Sequence, residues 1–321
     1  METSLGMHEQ SVGAEPFLVT GCAGFIGSHL AETLLASGRA VVGVDCFTDY
    51  YPRQRKESNL RRALEHPNFE FLQLDLADAP LDELVGRVAG IYHLAAQPGV
   101  RSSWGSSFDV YLRRNLLATQ RLFEAAVTGR RRVVFASSSS VYGDAERYPT
   151  TEQTEPRPIS PYGVTKLSCE HLARSYAECF ELDVVALRYF TVYGPRQRPD
   201  MAFARIIAAL RDGSSFTVYG NGEQTRDFIY VADAVGATIA AMEADSPASV
   251  YNVGGGNEAQ LLEVIDTLER LSGRQLNTCH EAELAGDVLR TGADTSLIRG
   301  DLGWAPVVPL EEGIAAQLAG G

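Results

Sequence analysis

The sequence predicts an α/β fold in which a doubly wound parallel sheet precedes a smaller, mixed α/β C-terminal part. Two observations support the sheet: short valine-rich apolar runs recur along the first part of the chain, and stretches with helical periodicity separate them. Continuous apolar strands alternating with helices are typical of a parallel sheet that helices cover on both faces. A third observation is the change of rhythm near residue 190, after which the elements become shorter and less regular.

Six apolar runs are predicted as strands of the parallel sheet: FLVTG (17–21), AVVGVD (40–45), FEFLQLDL (69–76), GIYHLAA (90–96), RVVFAS (132–137) and DVVALRYF (183–190). The segment FIGSHLAETLLASG between the first two is predicted as a helix. Later in the chain, FTVYGNGEQTRDFIYVADA offers two strand-like runs around an Asn-Gly turn, and VYNVGGG offers another strand. AQLLEVIDTLERLSG is predicted as an amphipathic helix that a glycine ends.

These elements divide the chain into three segments. Residues 1–15 are expected to form a flexible N-terminal arm, and residues 16–190 the sheet domain. Residues 191–321 are expected to form a substrate-binding C-terminal domain, with segments that return to the sheet. Doubly wound sheets bind ligands at the carboxyl ends of their strands. We therefore expect the C-terminal domain to pack at that edge.

Composition and charge limit the classes of function. The chain has 321 residues, 45% of them hydrophobic and 21% charged, as in an ordinary globular enzyme. The net charge of −13 argues against nucleic-acid binding, which needs a basic face or tail. Five scattered cysteines without CxxC spacing indicate reduced thiols in the cytoplasm and no metal site. With neither a signal sequence nor an apolar stretch of about 18 residues, no membrane association is expected.

The motif GCAGFIG places Gly21, Gly24 and Gly27 between the first strand and the first helix. Such a turn lets the backbone approach a pyrophosphate and aims N–H groups of the helix N-terminus at it. Asp45 ends the second strand, where a carboxylate accepts hydrogen bonds from an adenosine ribose. The combination predicts a Rossmann domain that prefers NAD. The alternative is NADP, whose 2′-phosphate the basic residues within 53–56 could take.

A second motif lies in SPYGVTKLSCEHLARSYAECF, which is predicted as a helix opened by a Ser-Pro signal. Tyr162 and Lys166 lie four residues apart, and therefore one turn apart on the same helix face. The positive charge of the lysine favours the phenolate form of the tyrosine, which can take a proton from a sugar hydroxyl. The alternative interpretation is an exposed helix pair without a function.

The segment FASSSSVYG follows the fifth predicted strand directly. Serine runs often mark linkers, but this one begins at the carboxyl edge of the sheet, where a cofactor would lie. Ser137 is expected to end the strand, and the hydroxyl groups of the next serines are expected to face the ligand.

GCAGFIG, HLAAQ, SSSSVYG, YGVTK and RYFTVYGP occur in this order, and the chain thereby resembles the extended short-chain dehydrogenase/reductase family of NAD-dependent nucleotide-sugar epimerases and dehydratases. The resemblance covers the chain from about Phe17 to Trp304. It implies that Tyr162 is the base, that Lys166 binds nicotinamide ribose, and that Ser138 hydrogen-bonds the reacting sugar oxygen. The implied NAD contacts are Gly21, Gly24, Phe25, Ile26, Gly27, Asp45, Asp75 (at adenine), Leu76, Leu94, Ala95, Ala96, Tyr162 and Lys166.

Members of this family first transfer a hydride from sugar C4 to NAD, which gives a 4-keto intermediate, and then differ. The 4,6-dehydratases that the chain resembles carry an Asp-Glu pair after the catalytic serine, and glucuronate decarboxylases carry glutamate at the second position. Here the two positions hold Ser139 and Ser140. Hydroxyl groups do not supply the acid and base that an elimination needs. The resemblance therefore predicts a 4-epimerase, in which the keto sugar turns over and takes back the hydride on its other face.

The choice of sugar rests on two stretches, 47–63 and 188–206, which resemble UDP-glucuronate 4-epimerases. A 4-keto glucuronate is a β-keto acid and loses CO₂ once its carboxylate bond aligns with the carbonyl π system. The resemblance implies that four residues hold the carboxylate away from that alignment: Ser139, Ser140, Thr191 and Arg198.

The C-terminal domain is expected to bind the nucleotide. Arg226 resembles the family's diphosphate-binding arginine, and Asp287 resembles its uridine-ribose contact. Arg290 is a candidate for a second phosphate contact. Arg101 is either a substrate contact or a structural cap, and the sequence does not distinguish the two roles.

Three alternatives stay open beside UDP-glucuronate epimerisation. The substrate could be a neutral sugar, as in UDP-glucose or UDP-N-acetylglucosamine 4-epimerases, or the enzyme could be a UDP-glucuronate decarboxylase. The protein could also be a catalytically silent NAD-binding regulator, although an intact set of Ser138, Tyr162 and Lys166 argues against this.

A homodimer formed through two helices per subunit is usual for the relatives and is expected here. Cys46 departs from the asparagine that many relatives carry after the ribose-binding aspartate.

Overall fold

The computed structural model describes residues 15–282 and 286–320. Almost all of the expected N-terminal arm (1–15) therefore lies outside the described residues. The strands are β1 (Phe17–Thr20), β2 (Val41–Asp45), β3 (Phe69–Gln73), β4 (Gly90–His93), β5 (Val133–Ser138), β6 (Val184–Tyr189), β7 (Thr191–Tyr193), β8 (Ser215–Tyr219), β9 (Thr225–Tyr230), β10 (Val250–Val253), β11 (Glu258–Gln260) and β12 (Asn277–Glu281).

The helices are α1 (Phe25–Ala36), α2 (Arg53–Leu64), α3 (Asp82–Gly86), α4 (Phe108–Tyr111), α5 (Ala118–Gly129), α6 (Pro161–Phe180), α7 (Ala202–Asp212), α8 (Val231–Glu243), α9 (Leu261–Ser272), α10 (Ser296–Leu302) and α11 (Leu310–Gly320). A π-helical segment, Leu112–Leu117, joins α4 to α5, and a short 3₁₀ turn, Ser139–Val141, follows β5. Within the described ranges, no helix is both long enough and apolar enough to span a bilayer.

The large sheet confirms the predicted doubly wound fold. Its order is β3-β2-β1-β4-β5-β6-β10, and each neighbouring pair is parallel. All six predicted runs form strands of this sheet, and VYNVGGG supplies the seventh, β10, from the C-terminal segment. Two predicted strands end early: β3 stops at Gln73 and β4 at His93. The apolar residues after His93 are therefore loop residues.

Two apolar layers cover the faces of this sheet. Leu18 of β1 packs in the layer with α3, α5 and α6, whereas its neighbour Val19 packs in the layer with α1 and α8. This alternation is what a strand buried on both faces requires. The carboxyl ends of the strands are left open on one edge.

The later segment forms a smaller α/β unit at that edge. Here β9 lies between β7, to which it is parallel, and antiparallel β11, while β8 pairs with β12. A separate apolar core gathers side chains of α7, α9 and α11 around Phe203 and Phe228. The runs on either side of the Asn-Gly turn are strands, as predicted, but β8 and β9 pair with different partners and form no hairpin with each other.

Candidate active site

A cleft of about 400 Å³ runs along the open edge, between the carboxyl ends of the large sheet and the start of β7. Most of the residues that the sequence singled out line it. They are Gly21, Gly24, Phe25, Ile26, Gly27, Asp45, Asp75, Leu76, Leu94, Ala95, Ala96, Ser138, Ser139, Ser140, Tyr162, Lys166, Thr191 and Arg198. The predicted dinucleotide motif and the predicted catalytic residues therefore share one cavity.

The glycine turn at one end of the cleft leaves no room for side chains. Gly21 has a φ of +70°, and its N–H donates to the carbonyl oxygen of Val44 at 2.7 Å. A Cβ atom on Gly27 would lie 2.2 Å from the carbonyl oxygen of Gly21. Helix α1 begins directly after Gly24 without a side-chain cap, so its first N–H groups have no side-chain acceptor at the cap position. This geometry fits the pyrophosphate of a dinucleotide.

Asp45 closes the second strand beside this turn. Its carboxylate accepts N–H groups of Ala23 at 3.2 Å and Phe47 at 2.8 Å, and its side chain still lines the cleft. The nearby Lys56 is engaged elsewhere, because its ammonium donates to the carbonyl and hydroxyl oxygens of Thr48. Asp45 stands at the strand end, and the ammonium of Lys56 is bound to Thr48. This arrangement fits the ribose of NAD better than the 2′-phosphate of NADP.

Asp75, the predicted adenine contact, takes part in an ion pair that the sequence did not indicate. Its Oδ2 lies 2.6 Å from Nη1 of Arg114, and its Oδ1 accepts the N–H of Ala77 at 3.0 Å. The same Nη1 of Arg114 donates to Sγ of Cys46 at 3.3 Å. Burial raises the pKa of the Cys46 thiol. A neutral thiol therefore follows Asp45, and it is held by an arginine that no motif identified.

The start of α6 places the Tyr-Lys pair. Oγ of Ser160 accepts the N–H of Gly163 at 3.1 Å, and Pro161 occupies the first turn, as the Ser-Pro signal predicts. Lys166 is buried, and its ammonium donates to the carbonyl oxygen of Ala136 at 2.7 Å. The same ammonium lies 6.0 Å from the ring centroid of half-buried Tyr162. Helix α6 and strand β5 are thereby joined at the site itself.

Strand β5 ends one residue later than expected. We predicted that Ser137 ends the strand, but β5 extends to Ser138, which pairs in register with Tyr189 of β6. Oγ of Ser138 accepts the N–H of Ser140 at 3.1 Å, which starts the 3₁₀ turn. A Cβ atom on Gly163 would lie only 2.5 Å from the carbonyl oxygen of Ser140. The glycine in YGVTK therefore lets α6 approach the serine turn closely.

A buried ion pair lies beneath the serine run, and sequence reasoning missed it. Ser137 donates its hydroxyl to Glu170 of α6, and Glu170 forms a double hydrogen bond with Arg188 of β6, at 2.6 and 3.0 Å. Arg188 also donates to the phenol oxygen of Tyr142 at 2.7 Å, and Tyr142 donates to Asn252 of β10. The arginine inside the run VVALRY could have indicated it, because a buried strand with one charged residue needs an anion beside that residue. The pair connects α6 to three neighbouring strands.

His93 and Asn115 are structural in this arrangement. His93 hydrogen-bonds Thr20 and Thr119 through its two ring nitrogens, and burial, with a smaller effect from Lys166, lowers its pKa to about 3. The imidazole is therefore neutral near pH 7 and is not a proton carrier for the site. Asn115 is buried, and its side-chain amide bonds both backbone groups of Gln97.

Arg198 lines the same cleft as the serine run, and its guanidinium is paired. Its Nε and Nη2 donate to the two carboxylate oxygens of Asp200, each at 3.0 Å. Burial opposes the charge of Arg198, but the attraction of Asp200 outweighs it and raises the pKa of the guanidinium. Thr191 lies nearby in the chain as the first residue of β7 and also lines the cleft.

The residues predicted to contact the nucleotide do not line this cleft. Arg101 forms an ion pair with Asp287 at 2.6 Å, and its guanidinium stacks 4.4 Å from the ring centroid of Tyr219. Arg226 donates to the carbonyl oxygens of Thr225 and Leu289. Burial lowers the pKa of its guanidinium, and the negative charge of Asp287 offsets part of this effect. Arg290 is engaged separately, in an exposed pair with Glu258 at 2.7 Å. Arg101, Arg226 and Asp287 therefore lie close to one another, and Arg290 is paired elsewhere.

Known proteins with the same architecture bind the ligands that this geometry fits. The family model described as GDP-mannose 4,6 dehydratase matches residues 18–317. A crystal structure of UDP-glucuronic acid 4-epimerase from Bacillus cereus, in complex with UDP-glucuronic acid and NAD, superposes with a TM-score of 0.92. It is 41% identical and covers 95% of this chain and 98% of its own.

Two relatives differ in the sugar that their names carry. A UDP-glucuronate 4-epimerase of Thermodesulfobacterium geofontis (strain OPF15) is 35% identical over 303 residues, 93% of each chain. A protein of Bacillus subtilis (strain 168) named "Uncharacterized UDP-glucose epimerase YtcB" is 42% identical over 305 residues, covering 94% of this chain and 96% of its own. Both names share the epimerase reaction and the UDP carrier.

Proposed function

The chain belongs to the GDP-mannose 4,6 dehydratase family of extended short-chain dehydrogenases/reductases, and on that premise we propose that it is an NAD-dependent UDP-sugar 4-epimerase acting on UDP-glucuronate. One observation carries the proposal: Ser138, Tyr162 and Lys166 line the same cleft as Arg198, and among the described lining residues no carboxylate stands at the two positions after Ser138. When bound along the glycine turn, NAD supplies a reversible hydride acceptor.

The residues of the chain move the proton and position the sugar. Tyr162 takes the proton of the C4 hydroxyl as base and returns it after the sugar has turned. The ammonium of Lys166, fixed by the carbonyl oxygen of Ala136, lies 6.0 Å from the ring centroid of Tyr162 and places a positive charge beside the base. Ser138, held by the N–H of Ser140, retains its hydroxyl hydrogen for a bond to the reacting oxygen. Epimerisation needs no further acid or base.

The acids of the cleft support an epimerase over a dehydratase. Among the described lining residues, the carboxylates are those of Asp45 and Asp75, both at the adenosine end. Elimination of water from the sugar needs an acid and a base at the sugar itself. Ser139 and Ser140 take the positions where such groups stand in dehydratases, and they offer only hydroxyl hydrogen bonds.

Arg198 supports an acidic sugar. Asp200 uses two of its N–H groups, and among the described residues none accepts a hydrogen bond from Nη1. That edge of the guanidinium remains available for a carboxylate, together with the hydroxyl groups of Ser139, Ser140 and Thr191. The opposing observation is the pairing with Asp200 itself, which reduces the local charge. It favours the second candidate, a UDP-glucose 4-epimerase, as does the name of the Bacillus subtilis relative.

Incubation of the protein with UDP-glucuronate and NAD, followed by NMR of the sugar, distinguishes these candidates. We expect UDP-galacturonate, with NAD regenerated in each turnover. Formation of a UDP-pentose would instead identify a decarboxylase. Turnover of UDP-glucose without any reaction of UDP-glucuronate would establish the neutral-sugar alternative, and no reaction with either sugar would support a silent NAD-binding protein.

Replacing Arg198 with alanine is expected to abolish conversion of UDP-glucuronate to UDP-galacturonate or to divert it to decarboxylated product. Loss of hydrogen bonds to a charged group typically costs about 1.5–3 kcal/mol each. The measurement is the initial rate and the product spectrum with UDP-glucuronate. The control is Arg205→Ala, an arginine outside the cleft lining that lies over the ring of Phe216. An Arg198→Ala enzyme with an unchanged product and rate would contradict the carboxylate assignment.

We also propose that the protein is a homodimer formed through α5, α6 and the π-helical segment, which pack together. Leu117 is 42% exposed and Val164 is 44% exposed on these elements. Two copies would cover this apolar surface in a bundle of four helices. Light scattering after size-exclusion chromatography should give twice the chain mass, and Leu117→Lys with Val164→Lys should give the chain mass. A wild-type monomer would contradict the proposal.

A further inference from the structure

Asp200 holds Arg198 in one orientation. The two parallel hydrogen bonds, each 3.0 Å long, restrict rotation of a guanidinium far more than a single bond does. The side chain of Arg198 is 20% exposed and that of Asp200 is 37% exposed; Arg198 lines the cleft, whereas Asp200 does not. Two residues that are almost adjacent in sequence therefore supply one cation and the anion that orients it.

Asp200 is in turn held from a second loop. The phenol of Tyr50, which lines the cleft, donates to Oδ2 of Asp200 at 3.3 Å and lies 3.4 Å from Oγ of Ser102. Oγ of Ser102 lies 2.7 Å from the phenol oxygen of Tyr111. The ring of Tyr111 meets that of Tyr162 edge to face, with centroids 6.3 Å apart. A continuous series of contacts thus runs from Arg198 to the residue that moves the proton.

Close packing leaves little freedom in this series. Gly99 has a φ of +101°, and a Cβ atom there would lie 2.4 Å from the phenol oxygen of Tyr50 and 2.6 Å from Oγ of Ser102. The phenol of Tyr111 donates to the carbonyl oxygens of Pro98 and Gly99. The loops after β2, β4 and β7 therefore meet at one point.

We propose that Asp200, supported by Tyr50, is a positioning residue that determines whether the keto acid is epimerised or loses CO₂. The inference rests on the proposed function. Arg198 can keep the substrate carboxylate out of line with the C4 carbonyl only if its own guanidinium is fixed. Asp200 fixes it through Nε and Nη2 and leaves the Nη1 edge for the substrate.

Loss of this restraint has a defined chemical outcome. When the carboxylate turns into alignment, the C5–C6 bond breaks and its electron pair enters the C4 carbonyl as an enolate. CO₂ leaves, and the enolate takes a proton from water at C5. If the hydride does not return, one UDP-glucuronate and one NAD give one UDP-4-keto-pentose, one CO₂ and one NADH. Each decarboxylation without hydride return therefore produces one NADH, which can be measured.

The test compares the product ratio of wild type, Asp200→Asn and the control Asp49→Asn. Asn is isosteric with Asp but cannot accept both bonds from Arg198. Asp49 is exposed and precedes Tyr50, and it does not line the cleft. We expect Asp200→Asn to raise the ratio of decarboxylated to epimerised product about tenfold, as the loss of one charge-assisted bond predicts. The control should keep the wild-type ratio.

Tyr50→Phe gives an independent measurement if Asp200→Asn fails to fold. It leaves the carboxylate of Asp200 in place, so we expect the ratio of decarboxylated to epimerised product to rise, but by less than in Asp200→Asn. An unchanged ratio in every folded variant, alongside normal wild-type epimerisation, would overturn the role of Asp200 while leaving the proposed function intact. An improved KM for UDP-glucuronate in Asp200→Asn at an unchanged ratio would also overturn it, because Asp200 would then merely compete for Arg198. A wild-type enzyme that does not convert UDP-glucuronate would overturn both.

Discussion

Replacing Tyr162 with phenylalanine is expected to lower kcat by about 10²–10⁴-fold, the usual contribution of a positioned acid–base group. Among the described residues that line the cleft, only Tyr162 combines half-burial, a cationic neighbour on the same helix face, and a position beside the serine turn. Lys166 cannot replace it, since its ammonium is bound to the carbonyl oxygen of Ala136. His93 cannot either, because it is neutral and its nitrogens are occupied.

The matched control for this variant is Tyr51→Phe. Tyr51 lines the same cleft, but burial raises the pKa of its phenol to about 12, so it carries no negative charge near pH 7. We expect its kcat to remain close to that of wild type. Both variants should bind NAD with an affinity close to that of wild type, as measured by calorimetry, because the glycine turn is unchanged and Tyr162→Phe removes only one hydroxyl group from the implied NAD contacts. Comparable losses in both variants would show that Tyr162 acts through packing and not through proton transfer.

The sequence was sufficient for the parts of the site that depend on local geometry. The glycine turn requires close backbone approach, and the separation of Tyr162 and Lys166 is one helical turn, so both are specified by residues near in sequence. The strands could be predicted from apolar runs because these, too, are formed by residues near in sequence. The predicted ends of β3 and β4 were too late because apolar residues that line a cleft look like strand residues in a sequence.

Contacts between distant segments were not predictable in this way. The pairing of Arg101 with Asp287 joins residues 186 apart, and that of Arg114 with Asp75 depends on how the π-helical segment meets the end of β3. Even Asp200, two residues after Arg198, was missed, since spacing alone does not distinguish an ion pair from two solvated side chains. The roles of charged residues in this site therefore depend on which partners the fold brings to them.

Family membership alone does not fix the reaction either. The matching family is described by a dehydratase, whereas the relatives reported above are named epimerases. We propose that the difference lies in a few side chains on a shared fold: hydroxyl groups at Ser139 and Ser140, and a restrained cation at Arg198. Substrate choice and product are consequently the properties that substitutions in this cleft should change first.

Glu170→Ala is expected to destabilise the protein by about 3–5 kcal/mol, a large part of the usual stability of about 5–15 kcal/mol. The side chains of Glu170 and Arg188 are 7% and 6% exposed, and loss of the carboxylate leaves a buried guanidinium without its anion. The measurement is the free energy of unfolding from urea denaturation. Arg174→Ala on the same helix is the control, because its exposed pair with Glu178 contributes little in water.

The double variant Glu170→Leu with Arg188→Met separates the cost of an unpaired charge from that of lost packing. Removing both charges leaves no buried ion, so we expect most of the lost stability to return. Epimerase activity should recover less, because Ser137 would have lost the acceptor that joins β5 to α6 directly behind Ser138. Full recovery of both stability and activity would show that the ion pair is dispensable for positioning the serine turn. A Glu170→Ala protein as stable as wild type would contradict the buried pairing itself.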